Sequence, residues 1–268
     1  MPTNAENEVH QQRQVAESFG ADAERYDRAR PRYPEQMVEQ IVKKSSGREV
    51  LDVGTGTGIV ARQFQKAGCS VIGVDPDERL ADVARQFGLE VDVATFEDWE
   101  PAGRQFDSVV AAQAWHWVDP VAGAAKAARI LRPGGRLAAF WNVFQFPDEV
   151  ADAIAQVCQR VMPDAPFDFQ AMLKGAMSGY QGFFAKTSDG IREAGGFTDP
   201  EQWRFDWEWT YSREAWLDQM PTLGAFTRLP ADKMAEVLEG AGTAIDAMGG
   251  SFTMNYATVA VTAARTGA

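Results

Sequence analysis

The sequence predicts a doubly wound α/β fold, on three observations. From residue 34 onward, apolar residues at helical spacing alternate with short β-rich runs, the pattern of consecutive βαβ units around a parallel sheet. The run Val50 to Gly58, VLDVGTGTG, passes from a strand through a glycine turn into a helix. Residues 202–211 and 252–263 then add two strands to the five of the alternating region, giving seven.

The elements follow in order. Pro34 opens a helix with Met37, Val38, Ile41 and Val42 on one face, closed by Ser45-Ser46-Gly47. Glu49 to Val53 is the first strand, and a helix from Ile59 to Lys66 stops at Gly68. Ser70 to Val74 forms the second strand, ending at Asp75. Asp77 caps a helix burying Leu80, Val83, Ala84 and Phe87, and Glu90 to Ala94 is the third strand. After the fourth strand, Phe106 to Ala112, the pair Asp119-Pro120 starts a helix with Val121, Ala124, Ala125, Ala128 and Leu131 inward. The turn Arg132-Pro133-Gly134-Gly135 leads into the fifth strand, Arg136 to Trp141.

Beyond Asn142 the alternation is lost. Residues 147–195 read as mainly helical, with Pro, Gly and Phe interruptions, and are the candidate lid. In residues 202–211 the aromatics Trp203, Phe205, Trp207, Trp209 and Tyr211 fall on one face and polar residues on the other, as in a half-buried strand. Helices around 212–219 and 230–248 separate it from the last strand.

Bulk properties narrow the function. The 268 residues suffice for a two-sided core, and a formal net charge of −12 argues against a nucleic-acid surface, because such affinity rests on Lys and Arg displacing counterions. A small-molecule partner is expected. The first twenty residues lack the apolar core of a signal peptide, and no segment reaches about 18 uncharged apolar residues, so a cytoplasmic, non-membrane protein is expected, monomer or homodimer. Cys69 and Cys158 have no CxxC or His partners, which points to reduced thiols and no metal site.

Glycines 54, 56 and 58 permit a tight turn and a close backbone approach to a ligand at the start of the following helix. Their spacing is GxGxG, whereas a dinucleotide turn needs a third glycine at 59, where Ile59 stands. Asp75, at the end of the second strand, is placed to accept hydrogen bonds from a ribose diol. Asp52, inside an apolar strand, needs bonding partners, either loop amides or an amino group of a cofactor.

Together, VLDVGTGTG, VIGVDPD, FDSVVAAQAWHW and ILRPGGRLAAFWN resemble the class I S-adenosylmethionine-dependent methyltransferases over residues 16–142. FGADAERYDRARPRYP and AQAWHWVD make the chain similar to the methyltransferase type 11, trans-aconitate methyltransferase-like small-molecule branch. The resemblance implies a Rossmann-like, seven-stranded, mostly parallel sheet with an antiparallel final strand, helices on both faces and a helical lid. It implies S-adenosyl-L-methionine as cofactor, with Gly54, Gly56 and Gly58 passing its methionine portion and Asp52 supporting that loop. Asp75 would hold the ribose, Pro76 would lie beside the adenine, and Phe96 and Glu97 would contact the ring and its amine. The family more often has a small residue at position 96. Gln113 and Ala114 would lie beneath the sulfonium, and Tyr26, Arg30 and Tyr33 in a covering segment, with Arg30 or Arg32 pairing the carboxylate.

The implied division is a cap at 1–45, a cofactor-binding core at 46–142, a lid and substrate region at 143–200, and completing strands and helices at 201–268. Methyl transfer from a sulfonium expels a neutral thioether, so placement of the acceptor can suffice. Were the acceptor a hydroxyl, His116 would be the candidate base; the competing role is to shape the pocket between Trp115 and Trp117. Phe144, Phe146, Phe167, Phe169, Tyr180, Phe183 and Phe184 point to an apolar or aromatic acceptor. The alternatives are a nicotinamide-dependent oxidoreductase, which would want Gly at 59 and a Tyr/Lys pair, and a non-catalytic cofactor-binding protein, which would lack a chamber under residues 143–200.

Overall fold

A computed structural model describes residues 17–165 and 168–267. Within these bounds a 3-10 turn at Glu17–Asp22 leads into helices α1 (Ala23–Ala29) and α2 (Glu35–Lys44). The alternating region comprises β1 (Glu49–Val53), α3 (Ile59–Lys66), β2 (Ser70–Asp75), α4 (Glu78–Gln86), β3 (Glu90–Val93), β4 (Phe106–Ala112), α5 (Pro120–Ile130) and β5 (Leu131–Gln145). Helices α6 (Asp148–Val161), α7 (Phe169–Lys174) and α8 (Ala176–Ala194) precede β6 (Glu201–Ser212), α9 (Arg213–Gln219), α10 (Ala231–Ala247) and β7 (Ser251–Ala264).

The seven strands form one sheet in the order β3-β2-β1-β4-β5-β7-β6, with β7 antiparallel to both neighbours. Chain order reverses between β1 and β4, so the ends of these two strands flank the crevice where open α/β sheets bind ligands. The expected caps are present. Asp77 accepts from the Arg79 amide at 3.0 Å, and Asp119 from the Val121 and Ala122 amides at 3.0 and 2.8 Å.

Strand alternation distributes the core to both faces. Leu137, Ala139, Trp141 and Val143 of β5 pack with α5 and α8, whereas Ala138 and Phe140 pack on the side of α2, α3 and α4. A third apolar cluster joins α6 and α7 to α9, α10 and the far ends of β6 and β7. Packing crosses residue 200: α8 shares the cluster of α5 and the sheet, and α9 and α10 pack with α6 and α7. Apolar faces on both sides of β6 in sequence bury each other, which local sequence order does not reveal.

Two expectations of burial are corrected. Phe87 is 52% exposed, because α4 ends at Gln86 and Gly88 reverses the chain at φ +80°; the Arg62 guanidinium covers its ring at 4.0 Å. Along β6, Trp203 and Tyr211 are buried, but Trp209 is 56% exposed. β6 is the edge of the sheet, with Trp203 covered from the α2 side and Tyr211 by Trp216 of α9. Among the described residues no helix is long and apolar enough to cross a membrane, and no cluster of three His, Cys, Asp or Glu could hold a metal ion. Residues 1–16, including His10 and the start of the expected cap, and Phe167 lie outside the described residues.

Candidate active site

A cavity of about 1210 Å³ opens above the carboxyl ends of β1, β2 and β4 and continues beneath the lid. Its floor is the glycine turn. Gly54, Gly56 and Gly58 all have positive φ, at 66°, 56° and 80°, which explains why glycine stands at each. Only Gly54 and Gly56 line the cavity. Gly58 instead begins α3, where a Cβ would meet Leu89 at 3.2 Å and Ala84 at 3.4 Å; its part is helix packing rather than ligand contact.

Asp75 closes β2 with both carboxylate oxygens engaged by backbone: Oδ2 accepts from the Gly56 amide at 2.8 Å and Oδ1 from the Asp77 amide at 2.9 Å. A carboxylate has about four acceptor positions, so two remain for ligand hydroxyls. Burial pushes its pKa up to about 6, against the lowering effect of those two amides. Asp52 is fully buried and does not line the cavity; it accepts from Thr55 Oγ1 at 2.7 Å, and burial pushes it up to about 7.

Pro76, Phe96, Glu97, Gln113, Ala114 and His116 all reach the cavity. Phe96 lies 6.0 Å from the Trp115 ring, and Glu97 Oε1 accepts from the Asp119 amide at 2.9 Å. The segment after β3 is fixed from α5 by buried Lys126, which donates to the Glu97 carbonyl at 3.0 Å and to that of Trp99. Lys126 was invisible as a positioning residue in the sequence, since it lies on a helix face that spacing alone assigns to alanines.

Gln113 has φ +55°, rare outside glycine and a sign that the surroundings over-determine its backbone. Its amide donates to the Phe140 carbonyl at 2.8 Å, and its Nε2 to the Asn142 carbonyl at 3.2 Å. Asn142 Oδ1 in turn accepts from Thr258 Oγ1, which accepts from the Trp207 indole. A polar chain thus ties β4, β5, β7 and β6 together at the cavity wall.

His116 is not arranged as a strong base. Its Nδ1 accepts the Trp141 indole N–H at 3.1 Å, so the neutral ring carries its proton on Nε2. It stacks on Phe183 at 4.7 Å, and burial drives its pKa down to about 4. The arrangement matches the pocket-shaping role.

Tyr26 and Arg30 line the cavity from above. Arg30 donates through Nη2 to the Thr222 carbonyl and lies 4.9 Å from the Tyr26 ring centroid, while Arg32 points to Asp27 at 3.8 Å. Of these two arginines, Arg30 lines the cavity and Arg32 does not. Tyr33 borders only a small adjoining recess, with Gly54, Gly56, Thr57, Gln113 and Arg30, and packs edge-on against Phe140 at 5.1 Å. Two buried polar atoms of residues lining this recess lack partners, Arg30 Nε and Thr57 Oγ1. Two unpartnered donors match a carboxylate, so the residues present fit a cofactor with an amino acid end.

Beneath the lid the wall is apolar and aromatic, with Phe144 from the extended β5, Met172, Phe183, Met220 and Phe226. Trp216, Gln219 and Tyr256 also face this half; their part was not foreseen, because it depends on α9 and β7 folding back over the lid.

The fold and the site define a doubly wound α/β protein with a deep crevice at the carboxyl ends of its central strands. Residues 51–139 match the family described as methyltransferase domain. An uncharacterized methyltransferase of Mycobacterium tuberculosis is 40% identical over 133 residues, covering 48% of this chain and 54% of that protein. An uncharacterized methyltransferase of Schizosaccharomyces pombe is 25% identical over 225 residues, 82% of this chain and 83% of that protein. Among solved structures, one assigned as a type II methyltransferase from Anaeromyxobacter dehalogenans superimposes with a TM-score of 0.63 at 24% identity, covering 87% of this chain and 97% of that one. The chain thus spans about half the length of the Mycobacterium relative it matches. The likeness to the methyltransferase domain family thus lies in residues 51–139.

Proposed function

We propose that the protein transfers a methyl group from S-adenosyl-L-methionine to a small apolar or aromatic acceptor. The observation that carries this is one continuous cavity joining the Asp75 and Gly56 end to the aromatic chamber under the lid. Asp75 would accept the ribose hydroxyls, Pro76, Phe96 and Glu97 would border the adenine, and Arg30 and Thr57 would meet the amino acid end. When bound, the cofactor supplies an electrophilic methyl group on a sulfonium.

The chain's own contribution is placement. Gln113 and Ala114 shape the floor between the two halves, and the lid aromatics exclude water and hold the acceptor in line, a source of roughly 7–11 kcal/mol of barrier reduction in well-oriented reactions. His116, with Nδ1 occupied and a low pKa, would orient the acceptor by donation from Nε2 rather than remove its proton. The chamber also favours a catalytic over a purely cofactor-binding protein, and Ile59, buried in the place of a dinucleotide glycine, favours adenosylmethionine over a nicotinamide.

The test is turnover of adenosylmethionine labelled on the methyl group with a set of uncharged hydroxylated aromatics. Label entering the acceptor fraction with equal formation of adenosylhomocysteine is expected. NADH oxidation without adenosylhomocysteine formation would overturn the reading.

A further inference from the structure

At the lid end of the cavity, Tyr211, Gln219 and Tyr256 form a buried polar trio in an otherwise apolar cluster, exposed by only 2%, 3% and 4%. The two tyrosine hydroxyls share a hydrogen bond at 2.7 Å. Gln219 Oε1 has no partner.

Counting hydrogens is informative. Each hydroxyl supplies one donor, and one of the two is used in the hydrogen bond between them. One hydroxyl proton is left. Were it on Tyr211, it would be sealed against the rings of Trp216 and Phe252, at 5.3 and 5.8 Å, as an uncompensated buried donor. Tyr256 lines the cavity, as does Gln219 with its unpartnered oxygen.

Charge narrows the ligand further. The cavity's carboxylates, Asp75, Asp77, Glu97 and Asp119, belong to the β2 end, the segment after β3 and the start of α5. Among the described residues, the lining from α6 to α9 and β7 holds no charged side chain, so a cationic group would be desolvated without a counter-ion.

We infer that Tyr256, oriented by Tyr211 and beside the unpartnered Gln219 oxygen, anchors an uncharged oxygen function of an otherwise aromatic acceptor, at a subsite separate from the cofactor contacts. This rests on the reading of the lid half as the acceptor chamber. The Tyr256 hydroxyl donates to the ligand oxygen, and a ligand hydroxyl is the function best matched to a site with both a spare donor and a spare acceptor.

Equilibrium dialysis with 2-naphthol, naphthalene and 2-naphthylmethylammonium, with and without saturating adenosylhomocysteine, tests the inference. The wild-type protein should bind 2-naphthol about 5- to 10-fold more tightly than naphthalene, as expected for one net hydrogen bond, and the cation least tightly. Tyr256→Phe should abolish the naphthol preference while leaving naphthalene binding in place. Gln219→Met, a second variant should the first not fold, should reduce the preference at least twofold. Equal binding of naphthol and naphthalene, failure of every probe to bind, or a preference that survives in both variants would overturn the subsite. Failure of adenosylhomocysteine to bind, with the naphthol preference intact, would instead overturn the cofactor reading alone.

Discussion

A Cβ placed on Gly54 would lie 2.4 Å from the Cβ of Ala114, so the glycine turn after β1 and the end of β4 touch across the floor of the cavity. At Gly56 a Cβ would meet nothing within 4 Å, although its φ is also positive. The two glycines answer different demands: one lets two chain segments close, the other leaves room for a ligand.

Gly54→Ala therefore combines left-handed backbone strain with a contact that only movement of β4 relieves, and should destabilise the fold by about 2–4 kcal/mol. Gly56→Ala carries the backbone cost alone, about 1 kcal/mol, yet should weaken adenosylhomocysteine binding. Denaturant midpoints of the two variants check this. Equal losses of stability would contradict the assignment.

Burial raises Asp75 to about 6 and Asp52 to about 7 from an ordinary 3.8. Between the ordinary and folded values the folded state holds protons that the unfolded chain has released. The stabilising contribution of each is therefore full below about pH 4 and lost as pH rises through 6 to 7. Ribose hydroxyls, in contrast, favour the ionised Asp75. Adenosine, which lacks the amino acid end, should bind with an affinity that falls below pH 6 by at most tenfold per unit. A flat affinity from pH 5 to 8 in calorimetric titration would show that Asp75 is not the ribose acceptor.

His116 has the opposite sign. Its pKa is lowered by burial to about 4 from 6.5, so its contribution to stability is full above 6.5 and is lost as pH falls through 4. Its ring resonances should show no titration between pH 5 and 8 by NMR, with the proton on Nε2 throughout. An inflection near 6.5 would restore it as a candidate base.

The α/β order was legible because each strand ends on its own local signal: Gly54 after β1, Asp75 after β2, Asp119-Pro120 before α5. The strand-end half of the cavity was legible for the same reason, since Asp75, Pro76 and Gln113 sit at strand ends that the alternation locates. Gly58 shows the limit of spacing, which cannot separate a ligand-facing glycine from one that packs on Leu89 and Ala84. Trp209 shows another, because alternation marks a face but not whether an edge strand's face is covered. Tyr256, Gln219 and Trp216 escaped notice because the chamber they line is assembled from α6, α9 and β7, segments far apart in the chain whose meeting no local pattern encodes.

The most direct measurement of the central claim is calorimetric titration of adenosylhomocysteine into the wild-type protein and Asp75→Ala. Binding to the wild-type protein, weakened tenfold or more in the variant by loss of about 1.5–3 kcal/mol of charged hydrogen bonds, is the predicted result. Unchanged affinity in Asp75→Ala, or no binding to the wild-type protein at all, would contradict it.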